Sequence, residues 1–238
     1  MTVKDEKLYI VMVGLPSQGK STIAYRLQDI FKKNDIPTMI YNNGELRRKY
    51  APVETWMSDF YSPRNTEAVG LRKQFAIMNI HRAKSYLRNK GQVAILDATN
   101  VSRSRRELIE EQLRDHPVLY IECINNDGDI VDLSIRHKIR AREFASMSTE
   151  MAVKEFKKRI DYYREIYNQL HFERNYIRMD SLHNRIIDEQ IEDQLPLYSR
   201  IRDCLVTDVV KSLFLIRHTE SMFNIEDQIG RASCRERV

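Results

Sequence analysis

Short apolar runs alternate with amphipathic segments along most of the chain. The runs have the length of buried strands, and the segments between them repeat apolar residues at helical spacing. Because strands that alternate with helices form parallel sheets through right-handed crossovers, we expect an α/β protein with a doubly wound, mainly parallel sheet and helices on both faces. The pattern predicts strands over residues 8–13, 38–41, 93–96, 118–124 and 176–179, and helices over residues 21–33, 66–90, 102–114, 130–144, 149–170 and 189–205.

Two regions depart from this alternation. Residues 45–65 hold aromatic residues and two prolines at no regular spacing, and we expect an irregular flap over a substrate. A fresh strand begins at residue 211, close to the end of the sequence, and the last eight residues fit no earlier pattern. We therefore expect one domain over residues 1–207, the truncated start of a second domain over residues 208–230, and a non-native tail over residues 231–238.

The segment after the first apolar run carries the most specific chemical signal. It fits the phosphate-binding P-loop pattern G-x-x-x-x-G-K-S/T, with the strand before it and the helix after it that the motif requires. Backbone N–H groups of such a loop face phosphate oxygens, and the helix adds the positive end of its dipole. Lys20 is placed to bridge the β- and γ-phosphates, and Ser21 offers a hydroxyl to Mg²⁺. The motif predicts a P-loop NTPase-type fold with an ATP or GTP site at Gly14, Leu15, Pro16, Ser17, Gln18, Gly19, Lys20 and Ser21.

An aspartate follows the third predicted strand. Asp97 stands at the carboxyl end of the run 93–96, where ligands bind in open α/β sheets. An acid at this position, downstream of a P-loop, can hold the Mg²⁺ shell or orient a hydroxyl. We expect Ser21 and Asp97 to act together on the metal, and the sequence offers no dedicated general base.

Composition narrows the class of protein further. The chain has 42% hydrophobic and 31% charged residues, with no apolar stretch long enough to cross a bilayer and no secretory signal, so we expect a soluble cytoplasmic protein. Three widely spaced cysteines form neither a disulfide framework nor a zinc pattern. The net charge of +5 suits a phosphorylated partner. Its arginines lie in short groups, each by itself typical of a solvated helix face and without the interleaved aromatics of a single-strand platform, so we do not expect nucleic acid to be that partner.

The order of these motifs resembles the bifunctional 6-phosphofructo-2-kinase/fructose-2,6-bisphosphatase family. The likeness covers most of residues 8–230 and rests on residues 14–16, on Asp-Ala-Thr-Asn at 97–100, and on an Arg-His-x-Glu strand end at 217–220. In that family the amino-terminal half transfers the ATP γ-phosphate to the 2-hydroxyl of fructose 6-phosphate, and a phosphoglycerate-mutase-like half removes it. The resemblance implies such a kinase, with ATP and Mg²⁺, and a homodimer.

Carried over position by position, the resemblance assigns further residues to the site. It implies catalytic roles for Lys20, Asp97 and Lys138, with Lys138 also bordering the nucleotide. A sugar monophosphate needs several cations around its dianion, and arginine offers paired donors that match phosphate oxygens. The implied fructose 6-phosphate contacts are Arg47, Arg72, Thr99, Arg105, Lys138, Arg159 and Tyr163.

The chain also departs from the family pattern. Val101 stands where the family usually has threonine, and residues 140–144 replace a stretch similar to Ser-Pro-Asp-Tyr, so the sugar is less firmly implied than ATP. Gln18 replaces a common arginine of the loop.

The second domain is represented only by its start. A histidine between Arg and Glu at a strand end suits covalent phosphoryl transfer. However, Thr219 replaces a glycine of the family motif, and the sequence lacks the second histidine and the other basic groups that this chemistry needs. We expect no phosphatase activity from the matching residues Arg217, His218, Glu220 and Asn224.

Two other functions stay open at this point. The first is another P-loop kinase, acting on a polynucleotide end or a nucleoside. The second is a catalytically silent nucleotide-binding regulator or nucleic-acid-binding module, suggested by the net charge, Val101 and residues 140–144. The acceptor that consumes ATP identifies the first, and salt-dependent RNA or DNA binding without ATP turnover identifies the second.

Overall fold

The computed structural model describes residues 7–51 and 55–207, which contain a six-stranded sheet in the order β2-β3-β1-β4-β5-β6. The first five strands in this order are parallel, and β6 is antiparallel to β5. The expected start of a second domain and the expected tail lie outside the described residues. The strands are β1 Leu8–Val13, β2 Thr38–Asn42, β3 Val93–Asp97, β4 Val118–Ile124, β5 Asn175–Asp180 and β6 Arg185–Ile191; the helices are α1 Lys20–Lys33, α2 Asn43–Tyr50, α3 Thr66–Asn89, α4 Arg103–Gln112, α5 Gly128–Lys138, α6 Thr149–Glu165 and α7 Tyr198–Val206.

The two faces of the sheet bury separate cores, because successive side chains of a strand point to opposite faces. Every residue of β1 is buried. Leu8, Ile10 and Met12 pack on one face with α1 and α7. Tyr9 and Val11 pack on the other face with α3 and α4. The predicted doubly wound sheet with helices on both faces is confirmed.

The predicted helix over residues 189–205 is wrong. The chain instead forms β6 and then α7. Residues of β6 alternate in exposure with the two-residue period of a strand, so Ile186 packs against the core while Ile187 is exposed. Pro196 follows, and proline in a helix interior removes a backbone hydrogen bond. Together these features divide the segment, and β6 pairs with the outer edge of β5.

The expected irregular flap over residues 45–65 is partly helical. Its first part belongs to α2, whose first turn is capped by Asn42 Oδ1, which accepts from the Glu45 N–H at 2.9 Å. A short 3-10 turn follows at Ser58–Tyr61 and buries both of its aromatic side chains. Two predicted helices are also shorter than expected, because α5 ends at Lys138 and α6 ends at Glu165.

The sheet register brings the chemistry-bearing loops together. Val11 of β1 lies opposite Leu96 of β3, so the residues that follow the two strands leave the sheet at the same edge. The N–H of Gly14 donates to the carbonyl of Thr99 at 3.0 Å. Gly14 has φ of 135°, and a Cβ there would lie 2.5 Å from the carbonyl oxygen of Cys123, so this position requires glycine.

No helix within residues 7–51 and 55–207 combines the length and apolar character needed to cross a membrane.

Leu27→Ala tests the packing of α1 on the sheet. Leu27 is fully buried, so we expect the free energy of unfolding to fall by about 2–5 kcal/mol. Urea denaturation followed by circular dichroism measures this loss. The matched control is Leu133→Ala, since Leu133 is 61% exposed and its truncation is expected to change stability by less than about 0.5 kcal/mol. Similar losses in the two variants would contradict the assigned core.

Candidate active site

A cleft of about 1710 Å³ opens at the carboxyl edge of the sheet. Its walls combine the phosphate-loop segment, the end of β3 and basic side chains from α2, α3, α4, α5 and α6. Gly14 and Leu15 are not among the lining residues. The predicted residues that line it are Pro16, Ser17, Gln18, Gly19, Lys20, Ser21, Arg47, Arg72, Asp97, Thr99, Arg105, Lys138, Arg159 and Tyr163.

The P-loop has the backbone of an anion-binding turn. Ser17 and Gly19 both have left-handed backbone conformations, with φ of 67° and 78°. Consecutive N–H groups in such conformations form a concave surface for anions. Ser17 Oγ is buried, with no hydrogen-bond partner from the protein. An unpaired buried hydroxyl is costly, so this cradle suits a ligand that supplies acceptor oxygens, such as the phosphates of ATP.

Three hydrogen bonds hold the loop in shape. The Leu15 N–H donates to Gln18 Oε1 at 3.0 Å, and Gln18 Nε2 reaches the Asn125 carbonyl at 3.4 Å. Ser181 Oγ, from the segment after β5, donates to the Gln18 carbonyl at 3.0 Å. Gln18 departs from the family pattern, and its side chain stabilises the loop.

Lys20 is a buried cation at the start of α1. Its Nζ donates to the Leu15 carbonyl at 2.6 Å. Burial, together with repulsion from the nearby Lys138 cation, lowers the pKa of Lys20 to about 7, and attraction to Asp97 offsets only part of this effect. A lysine held in this environment gains strongly from an added anion, because the anion restores the charged form.

Asp97 is buried and accepts two hydrogen bonds on one oxygen. Ser21 Oγ donates to Oδ2 at 2.7 Å, and Asn42 Nδ2 donates to the same oxygen at 2.6 Å. Mg²⁺ prefers oxygen ligands and retains several waters, so Ser21 and Asp97 fit an ion that takes its other ligands from phosphates and water. Among the described residues, no group of three or more His, Cys, Asp or Glu is placed to hold a metal by itself.

Asn42 is a site residue that the sequence reading missed. The sequence indicated only a turn at this position, whereas the structure places the side chain in the cleft. The signal was available in the register of parallel strands. Asn42 ends β2 directly opposite Asp97 at the end of β3, so two polar side chains meet at the same sheet edge.

Basic side chains gather on an aromatic shelf formed by Phe60 and Tyr61. The Arg159 guanidinium lies 3.9 Å from the Tyr61 ring centroid, within cation–π distance, and its Nε is buried without a hydrogen-bond partner. Arg72 lies 5.7 Å from the Phe60 ring and donates to the Phe60 carbonyl. Arg105 donates to the Arg72 carbonyl at 3.4 Å, and burial lowers the pKa of both arginines.

Tyr163, Lys138 and Thr99 complete the set that the resemblance implied. The Tyr163 ring lies 5.9 Å from the Tyr61 ring. Lys138 is exposed to the cleft, yet desolvation by surrounding protein and the Arg159 cation lower its pKa. Thr99 is held through its carbonyl by Gly14. The cleft therefore combines several cations with few carboxylates, as a polyanionic ligand requires.

Arg47 lies in the cleft wall, but its guanidinium is already engaged. NH1 donates to both the carbonyl and the hydroxyl of Thr55 at 2.6 Å, and NH2 donates to Glu143 Oε2 at 2.6 Å. Glu143 belongs to the stretch 140–144 that departs from the family pattern. Arg47 therefore differs from Arg72 and Arg105, which donate to backbone carbonyls, because its guanidinium is paired with a carboxylate of the protein.

Arg106 corrects the expectation that the group 103–106 is a solvated helix face. Its side chain is only 1% exposed and pairs with buried Glu173 at 2.5 Å. Arg103 fits the expectation, because it is exposed and pairs with Glu107 one turn along α4. Arg106 lies on the same side of α4 as buried Ile109, so helical spacing indicates the inward side. Spacing does not show that Glu173 lies there to pair with a buried arginine.

Comparisons with known proteins show which family the chain resembles. The family model described as 6-phosphofructo-2-kinase matches residues 1–208. The 6-phosphofructo-2-kinase/fructose-2,6-bisphosphatase 1 of Bos taurus is 31% identical over 229 residues, covering 93% of this chain and 48% of that protein. Isoform 3 of Rattus norvegicus is 32% identical over 233 residues, covering 93% of this chain and 41% of that protein.

Among solved structures, a kinase from Chloroflexus aurantiacus described as putative aligns with a TM-score of 0.49 and 14% identity, covering 83% of this chain and 96% of that one. The chain spans about half the length of the curated relatives it matches. The family match includes the P-loop, Asp97 and the basic residues of the cleft. The chain therefore belongs to the 6-phosphofructo-2-kinase family.

Proposed function

We propose that the chain transfers the γ-phosphate of ATP to the 2-hydroxyl of fructose 6-phosphate, with Mg²⁺, to give fructose 2,6-bisphosphate. The observation that carries this proposal is the convergence of a P-loop, Asp97 and the cations Arg72, Arg105 and Arg159 on one cleft. The first two suit a nucleotide triphosphate, and the arginines suit a second, smaller phosphate ester.

The nucleotide end of the reaction is assigned to the P-loop. Its amides and Ser17 would hold the phosphates, while Lys20 stabilises charge on the transferring phosphoryl group. Mg²⁺, when bound through Ser21 and Asp97, neutralises charge on the phosphate oxygens. A bond forms between the sugar oxygen and the γ-phosphorus, the bond to the β–γ bridging oxygen breaks, and the hydroxyl proton is released. Asp97 would orient that hydroxyl, and Lys138 would stabilise charge beside Lys20.

The sugar-phosphate end is assigned to the arginines. Arg72, Arg105 and Arg159 would hold the 6-phosphate, with Thr99 and Tyr163 orienting the sugar. Since aromatic rings fix Arg72 and Arg159 before substrate arrives, little side-chain entropy is lost on binding. Arg47 would have to release Glu143 to take part directly.

The proposal contains no phosphatase activity and leaves the homodimer as an expectation. The matching residues Arg217, His218, Glu220 and Asn224 lie outside the described residues.

A coupled assay of ADP release identifies the acceptor. We expect fructose 6-phosphate to support turnover well above a nucleoside and a 5′-hydroxyl oligonucleotide, because its phosphate matches the arginine set. We also expect it to exceed other hexose phosphates, because the proposed acceptor is the 2-hydroxyl of fructose. Faster turnover with the oligonucleotide or the nucleoside would favour the other class of P-loop kinase. Tight, salt-sensitive RNA binding with no ADP release from any acceptor would favour the silent regulator.

Lys20→Met tests the phosphoryl-transfer role. We expect kcat to fall by at least about 100-fold with an unchanged circular dichroism spectrum, since the variant loses the cation on the transferring group but keeps a similar apolar stem. Lys33→Met is the matched control, because Lys33 is exposed at the other end of α1, and it should keep the parental rate. Near-parental turnover in Lys20→Met would remove this lysine from the mechanism.

Nucleotide binding should be coupled to proton uptake. At about pH 8, Lys20 with its pKa of about 7 is mostly neutral, and the phosphates of a bound nucleotide raise that pKa, so the site takes up as much as about one proton. Calorimetry with a non-hydrolysable ATP analogue, in two buffers of different ionisation enthalpy, measures the number of protons. The uptake should disappear in Lys20→Met; equal binding heats in both buffers for the parental chain would contradict the assignment.

A further inference from the structure

We propose that Arg106 is a positioning residue that fixes the loop after β3 relative to the carboxyl end of α6. It follows Arg105 on α4 but points into the protein, whereas Arg105 points into the cleft. Its effect on phosphoryl transfer rests on the proposed function, but its effect on loop geometry does not.

The Arg106 guanidinium joins two segments that are distant in sequence. NH1 donates to the carbonyl of Asn100 at 3.2 Å and to that of Val101 at 2.9 Å. The same nitrogen donates to the carbonyl of Asn168 at 3.0 Å. Nε donates to Glu173 Oε1 at 2.5 Å. One rigid, planar group thus meets the loop after β3, the segment after α6 and a buried carboxylate at once.

The loop that Arg106 holds has a left-handed turn and carries groups of the proposed site. Asn100 has φ of 45°, a left-handed conformation that asparagine adopts more readily than most other residues. Its side chain donates to the Met12 carbonyl at 2.9 Å, and the Thr99 carbonyl accepts from Gly14. Thr99 lies in this loop and Asp97 directly precedes it at the end of β3, so the conformation of the loop influences where both side chains face.

The other segment leads to the sugar-phosphate end of the cleft. The Asn168 N–H donates to the Val101 carbonyl at 2.9 Å, which pairs the two segments directly. Asn168 follows α6 by three residues, and α6 carries Arg159 and Tyr163. Arg106 therefore fixes the distance between the loop after β3 and α6, the helix that carries Arg159 and Tyr163. Misplacing reacting groups by about 1 Å can lower a rate by about 100-fold.

The ion pair dictates how the test is designed. Arg106 and Glu173 are 1% and 5% exposed, so removing one partner leaves a buried charge uncompensated and can unfold the chain. Arg106→Lys keeps the charge but loses the planar fork. Arg106→Met combined with Glu173→Gln removes both charges, while the glutamine oxygen can still accept from the N–H groups of His171 and Phe172 that Glu173 holds. Arg174→Met removes an exposed arginine and is the matched control.

Three measurements on the full chain decide the proposal. We expect both variants to fold and to lose less affinity for a non-hydrolysable ATP analogue than they lose in kcat, because the Gln18 side chain and Ser181 hold the P-loop through hydrogen bonds that do not involve Arg106. Hydrogen exchange of the Gly14 and Asn168 amides, which donate to loop carbonyls, should become at least about 10-fold faster. The kcat for transfer should fall at least about 10-fold, with a smaller change in KM for fructose 6-phosphate. Arg174→Met should match the parental chain in all three.

Several outcomes would overturn the proposal. These are unchanged amide exchange, turnover within about 2-fold of the parental rate, or losses of nucleotide affinity and turnover that follow a loss of folded protein. Unfolding of both variants would also overturn it, since Arg106 would then be a structural residue only. If the parental chain transfers phosphate to no acceptor, the proposed function fails, and the amide-exchange result alone supports or overturns the positioning role.

Discussion

The hydrogen bond from the Gly14 N–H to the Thr99 carbonyl is the constraint on which the rest of the site depends. It joins the two loops that leave β1 and β3, and it forms only because the parallel register brings both strands to the same edge. Once the loops are joined, Ser21 at the start of α1 comes within hydrogen-bond distance of Asp97. A side chain at position 14 would collide with the backbone carbonyl of Cys123 on β4, so the P-loop could not keep this position. The sheet topology thereby places the P-loop beside Asp97, as the proposed phosphate and metal site requires.

Around this junction the positive charge of the side chains is only partly compensated by carboxylates. Burial lowers the pKa of Lys20, Lys138, Arg72 and Arg105. Repulsion adds to this effect, from Lys138 on Lys20 and from Arg159 on Lys138. These cations are positioned by aromatic rings and carbonyl groups more than by carboxylates, so part of their charge is uncompensated in the protein alone. Two buried polar atoms without partners, Ser17 Oγ and Arg159 Nε, lie in the same region. A ligand with two phosphate groups at separate places would relieve both the repulsion and the unpaired donors.

Much of this could be predicted from the sequence, for definite reasons. The strands and the P-loop are local patterns, so β1 to β5 were predicted near their observed positions along the chain, whereas the order of the strands in the sheet was not predicted. The segment that became β6 and α7 was not predicted either, because its two-residue alternation lies beside a helical stretch and only pairing with β5 decides between them. Asn42 and the Arg47–Glu143 ion pair could not be found locally either, since both are contacts between residues far apart in sequence.

The adjacent arginines of α4 show why residue type alone does not assign a role. On a helix, neighbouring residues point about 100° apart, so one guanidinium can face the cleft while the next faces the core. Arg105 faces acceptors that a substrate would supply, whereas Arg106 already meets three carbonyls and a carboxylate. A buried arginine has to be satisfied by acceptors that the protein brings to it, and here those acceptors come from the two segments that flank the reacting groups. The cost of burying this charge is therefore met by the same contacts that hold the cleft in shape.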